Sequence, residues 1–121
     1  MSVSSFFGTT AETVELHPII GLRSRYYKSN YAKAKAIILE HASKSKMIIA
    51  NIDDEHREIL LQSSRYHIIV SLVQVNPIET SVDFKVQMYG IFGFHRPRKV
   101  IFSFYAYLDK NLTFKGVGLH P

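Results

Sequence analysis

The sequence predicts an α+β fold: a two-layer sandwich in which a four-stranded antiparallel meander carries one helix before it and one after it. Three observations lead there. Residues 80–89 alternate Val82, Phe84, Val86 and Met88 against Ser81, Asp83, Lys85 and Gln87, the period of a strand with one face in a core. Upstream, Tyr31, Ala34, Ile38 and Ala42 recur at helical spacing, widened by Ile37. Between these two, three further β-rich runs are joined by connections short enough to imply antiparallel neighbours.

Taken in order, residues 1–12 read as a loose arm, and Thr13–Leu16 as a short strand closed by His17-Pro18. Ile19, Ile20 and Leu22 form an apolar patch ahead of the basic-aromatic stretch Arg23–Lys28. Asn30 has the side chain to accept a hydrogen bond from a free first-turn amide, so it caps a helix over 30–44, whose end carries Lys44 and Lys46 at the negative pole of its dipole. Met47–Ile52 and Arg57–Ser63 form a hairpin across the polar loop Asp53-Asp54-Glu55-His56. Tyr66–Val75 is the third strand, and Asn76-Pro77-Ile78-Glu79 turns it into the alternating fourth, because proline pre-sets φ and has no amide for a ladder. Residues 98–110 fit either period. Val100, Phe102, Phe104, Ala106 and Leu108 would line a strand face, while Ile101, Phe104, Tyr105, Leu108 and Leu112 fit a helix. Pro97 near the start favours the helix. The tail, 114–121, reads as irregular.

From this pattern Val82, Phe84, Val86 and Met88 should share one core with Ile38 and Phe104. The third strand is different: Ile69, Val73 and Val75 oppose the core-facing Ile68, Val70 and Leu72, so its second face needs a cover. The N-terminal residues Val14, Leu16, Ile19 and Ile20 are one candidate, and a second copy of the chain is another.

Length and composition bound the function. The 121 residues form a single domain, 46% hydrophobic and 21% charged, as for an ordinary globular protein. Cysteine is absent, which removes disulfides, zinc-thiolate sites and thiol nucleophiles. No apolar run is long enough to span a bilayer, and Met1–Gly8 lacks a basic n-region, so the expectation is a cytoplasmic protein without a membrane partner. The net charge of +5 is uneven: Arg23–Lys46 holds seven basic residues against Glu40, and His95–Lys115 holds five against Asp109. Such asymmetry attracts acidic ligands or nucleic acid, although a solvated helical face produces it more often.

Two stretches are candidate sites. At the approach to the second helix, Gly93, His95, Arg96, Arg98 and Lys99 combine a turn-forming glycine, first-turn amides and positive charge, the ingredients of an anion site. Arg23, Arg25, Tyr26, Tyr27 and Lys28 interleave cations with aromatic rings, a mixture that nucleic-acid binders use for phosphates and stacked bases. Neither a Walker loop nor a dinucleotide fingerprint is present, the histidines lack metal-ligand spacing, and no G-x-S-x-G elbow marks a serine, so no cofactor, metal or catalytic residue is assigned. Asp53-Asp54-Glu55-His56 reads as a polar hairpin tip. The function expected is that of a small non-enzymatic binding or interaction module, its partner a protein or an acidic ligand. The alternatives are a weak nucleic-acid-binding protein, or a small ligand-binding domain or enzyme with a pocket between helices and sheet near Phe92 and His95.

Overall fold

A computed structural model describes residues 10–89 and 96–118, with Arg96 placed through its backbone only. The elements run β1 (Thr10–Glu12), a 3-10 turn (Ile20–Leu22), β2 (Arg25–Lys28), α1 (Tyr31–Lys44), β3 (Ile48–Asp53), β4 (Glu58–Gln62), β5 (Tyr66–Asn76), β6 (Glu79–Met88), α2 (Arg96–Asn111) and β7 (Thr113–Val117). The class is α+β, as the patterning predicts, but among the described residues the sheet has seven strands rather than four. Its order is β3-β4-β5-β6-β2-β7, with β1 also paired to β6. Every strand pairing is antiparallel.

The expected meander is β3 to β6. Three strands lie outside it, and each corrects the sequence reading. Residues 10–12 of the supposed arm form β1, Arg25–Lys28 forms β2, and Thr113–Val117, which runs into the supposed tail, forms β7. Of the strand expected over 13–16, what exists is a single parallel bridge from Val14 to Arg23. β6 explains the additions. One of its edges pairs with β5 along its whole length; the other is shared, with Val82, Ser81 and Thr80 opposite Arg25, Tyr26 and Tyr27, and Gln87, Val86 and Lys85 opposite Thr10, Ala11 and Glu12. A central strand left with a bare edge would leave a row of backbone groups unpaired, and two short segments complete the ladder instead.

Both helices pack on one face. Asn30 Oδ1 accepts from the Lys33 amide at 2.8 Å, so α1 starts where its cap predicts, and the Tyr31 amide donates to Gln74 Oε1 at 2.9 Å, tying the helix to the sheet. At the other end Lys46 takes a positive φ of 58° and the Met47 amide donates to the Ala42 carbonyl, which turns the chain back into β3. Residues 96–111 are helical, so the ambiguous run resolves to the helix.

Val82, Phe84, Val86 and Met88 are buried with Ile38 and Phe104 in one cluster that also takes Ile68, Val70 and Leu72 from β5. Each buried aliphatic or aromatic side chain contributes about 1.5–3 kcal/mol relative to exposure. On the opposite face, the cover expected from the N-terminal residues does not form. β1 adds to β6 instead of crossing the sheet; Ile19 packs at the core, while Val14, Leu16 and Ile20 stay exposed. Val73 is left 55% exposed, with Val75 and Ile48 also open on that side.

Candidate functional site

Most of the basic-aromatic stretch is consumed by the fold. β2 alternates Arg25 and Tyr27 toward the helices against Tyr26 on the other face, because its register sets Arg25 beside Val82 and Tyr26 beside Ser81. Arg25 makes a two-pronged contact with Asp109, Nη2 at 2.7 Å from Oδ2 and Nε at 3.2 Å from Oδ1. Its guanidinium lies 4.1 Å from the Phe114 ring centroid, with Tyr105 also beneath it. The Tyr27 hydroxyl donates to the same Asp109 at 2.7 Å, and burial together with that carboxylate pushes its pKa up. Tyr26 and Tyr27 are 1% and 0% exposed, so neither ring offers a face for a base. Arg23 Nε donates to the His17 carbonyl, and Lys28 is exposed.

The second set is split. Gly93, His95 and Phe92 lie outside the described residues, as does the Arg96 side chain. Arg98 is half-buried in the first turn of α2. Lys99 lines a cleft of about 240 Å³ with His41, Ser45, Met47, Val100 and Ser103, where the C-terminal half of α1 meets the start of α2. His41 Nε2 and Ser103 Oγ lie 3.2 Å apart. The imidazole ring sits between Phe104 and Tyr107, and burial, then the Lys44 charge, lowers its pKa. A neutral histidine beside a serine has the parts of a base and a nucleophile, yet among the described residues no carboxylate orients the other ring nitrogen. The pair was invisible in the sequence because its members are 62 positions apart.

A polar cluster occupies the seam between β6 and the N-terminal strands. Asp83 Oδ1 accepts from both the Thr13 and the Ser24 hydroxyls at 2.6 Å. Tyr26 donates to Glu15 Oε1, and Glu15 Oε2 is a buried oxygen without a hydrogen-bond partner among the described residues. Burial raises the Asp83 pKa, the two hydroxyls oppose the shift, and the Glu15 charge adds to it. A carboxyl whose folded pKa is raised favours the protonated fold, so its contribution is present below its unfolded pKa and is lost as pH rises through the folded value. Asp83→Asn keeps an acceptor for both hydroxyls and removes the charge. It should match or exceed the wild type in thermal stability at neutral pH, with the difference shrinking toward acid pH; a loss at neutral pH that persists in acid would refute this.

The most accessible recognition feature is β3. As the outermost strand it has one edge paired to β4, and its other edge has no strand partner among the described residues. Its sequence, Ile-Ile-Ala-Asn-Ile-Asp, carries no lysine or proline, and five of its six residues are exposed. Ile48 is 66% exposed, Ile49 39% and Ile52 38%. The register shifts at Ala50, so that Ile49 faces Leu61 and Ile52 faces Ile59. Both partners belong to the buried core, which puts Ile49 and Ile52 on the helix side although they are three residues apart. On α1 a groove of about 290 Å³ is lined by Tyr31, Ala32, Ala36 and Leu39, with Lys35 paired at its rim to Asp54, the residue that follows β3.

Among the described residues no group of three His, Asp or Glu side chains is placed to hold a metal ion, and no helix is long and apolar enough to cross a membrane. No protein-family model matches the chain, and a search of curated proteins finds no match either.

Proposed function

We propose that this chain is a small cytoplasmic interaction module, non-enzymatic, that takes its partner by strand addition at the open edge of β3. The observation that carries the reading is the edge itself: six residues, exposed nearly throughout, with three open isoleucines and none of the lysines or prolines that usually guard such an edge. An added strand would satisfy the outward backbone groups, and side chains at alternate positions would set specificity. Ile49 and Ile52 offer the apolar contacts on the helix side, and Ile48 on the other.

Peptides selected from a displayed random library against the full chain test the reading. Bound sequences should be extended and rich in branched residues, and the paired change Ile49→Lys with Ile52→Lys should abolish their binding while leaving the circular dichroism spectrum intact. Binders indifferent to that change would sink the proposal.

A ligand-binding reading is favoured by one observation, the cleft where Lys99, Ser103 and His41 converge against Val100 and Phe104. It suits a small anionic molecule with an apolar body. The nucleic-acid alternative has less support, because Arg25 is already paired and the rings of Tyr26 and Tyr27 are enclosed. Titration with labelled single-stranded and duplex nucleic acid should give weak binding at most, steeply reduced by salt.

A further inference from the structure

We infer that the partner at the β3 edge is a second copy of this chain, joined antiparallel about a two-fold axis between Ala50 and Asn51. The inference rests on the strand-addition reading and names its occupant. A two-fold antiparallel pair must set each residue opposite a residue of the other copy that lies on the same side of the sheet. In a regular strand, an axis between two adjacent residues brings opposite faces together. Here the register shift at Ala50 changes the parity: Ile49 and Ile52 share the helix side, while Asn51, opposite Leu60, and Ile48, opposite Gln62, share the other. An axis between Ala50 and Asn51 therefore sets Ile49 against Ile52 twice, both pairs on the helix side, and Ile48 against Asp53 twice on the far side.

Charge supports the same register. Beyond the strand ends, where the chain turns at both positions, it brings Lys46 of one copy toward the hairpin tip that carries Glu55 of the other. Both side chains are exposed, and neither has a hydrogen-bond or ion-pair partner among the described residues. The acidic hairpin tip that begins at Asp53 thus meets the basic end of α1, and by symmetry the contact occurs twice. Opposite charges at the two ends of one edge strand suit an antiparallel copy and would oppose a parallel one.

The flank also fits. α1 precedes β3 and lies against its helix side, so the two-fold axis brings the two α1 helices alongside each other over the seam. The exposed positions there are small, Ala32 and Ala36, with Leu39 partly buried a turn beyond Ala36 and Lys35, paired to Asp54, at the rim. Small residues permit close helix approach above the isoleucine pairs. The product is one continuous sheet through both copies, with the helices on a common side.

Sedimentation of the full chain across a wide concentration range tests the assembly. The expected result is a species of twice 13.9 kDa, converted to the 13.9 kDa monomer by Ile49→Lys with Ile52→Lys. The milder pair Ile49→Thr and Ile52→Thr, which keeps β propensity, should weaken it too, so a misfolded lysine variant would not blunt the test. Lys46→Glu should raise the dissociation constant about tenfold at low salt, since two contacts are reversed at once. Adding Glu55→Lys should restore it. A dimer that survives both isoleucine changes, or one blind to the charge reversal and its rescue, overturns the inference. A wild type that stays monomeric overturns it as well. If such a monomer still binds library peptides through Ile49 and Ile52, the strand-addition reading stands without the second copy; if it binds none, both fall.

Discussion

Replacing Phe104 by alanine is expected to cost about 3–5 kcal/mol of unfolding free energy, the largest effect of any single substitution considered. The ring is 2% exposed and holds three parts of the molecule together. It lies 5.2 Å from the Phe84 ring on the central strand and 4.5 Å from the His41 ring on α1, while its own backbone belongs to α2. Truncation loses the transfer energy of the ring and leaves a cavity that two helices and a sheet cannot jointly collapse. Phe104→Leu keeps much of the volume and should cost under about 1.5 kcal/mol. Urea unfolding of the three proteins measures both values. An alanine variant within 1 kcal/mol of the wild type would mean that α2 does not pack on β6 as described.

The second large effect is expected from Asp109→Ala, at about 2–3 kcal/mol. Its carboxylate receives two bonds from Arg25 and one from Tyr27, and so joins α2 to β2. Arg25 is 17% exposed at its side chain and Asp109 36%, so the loss falls below the 3–5 kcal/mol of a fully buried pair and above that of a surface one. Most of the cost comes from the stranded guanidinium and phenol rather than from the lost attraction. Two comparisons separate these causes. Asp109→Asn, which keeps an acceptor, should lose less. Arg25→Met, which removes the charge but keeps apolar contact with Phe114 and Tyr105, should make a subsequent Asp109→Ala nearly harmless. If the two changes simply add, the contact is not the source of the energy.

What was legible in the sequence was local. α1 follows from an asparagine cap and a helical stripe that lie within fifteen residues, and β3 to β6 follow from runs separated by short turns. β1, β2 and β7 were not legible, because Thr10–Glu12, Arg25–Lys28 and Thr113–Val117 are three to five residues long and carry no clean alternation. They are strands because β6 has an edge to fill, and that is information held elsewhere in the chain. The same gap affects the sites. Arg25 sits in a stretch whose charge reads as surface, yet two aromatic rings and a carboxylate from distant segments enclose it. Asp83 falls on the polar side of the alternating strand, as read, but Thr13 and Ser24 arrive to cover it. The uncharged stretch Met47–Ile52 was plain to see. That it lies on an open edge was not, since a bare four-stranded meander has two open edges and the structure closes the one at β6.

The shared edge of β6 has a consequence for the order in which the protein assembles. β5 reaches it through a two-residue turn, whereas β1 must close a loop of 77 positions to place Thr10 beside Gln87. Loop closure over long separations is slow because its entropy is lost before any contact repays it. The β3–β6 meander should therefore form early, with β1 and β2 docking on it later and β7 last, since among the described residues β7 pairs with β2 alone. Amide exchange should show this as two cooperative groups: slow amides in β4, β5 and the β5-facing edge of β6, and a faster set in β1, β2 and β7 that opens together. Residues from the two ends of the chain would then share one fate, released as a unit while the meander stays folded.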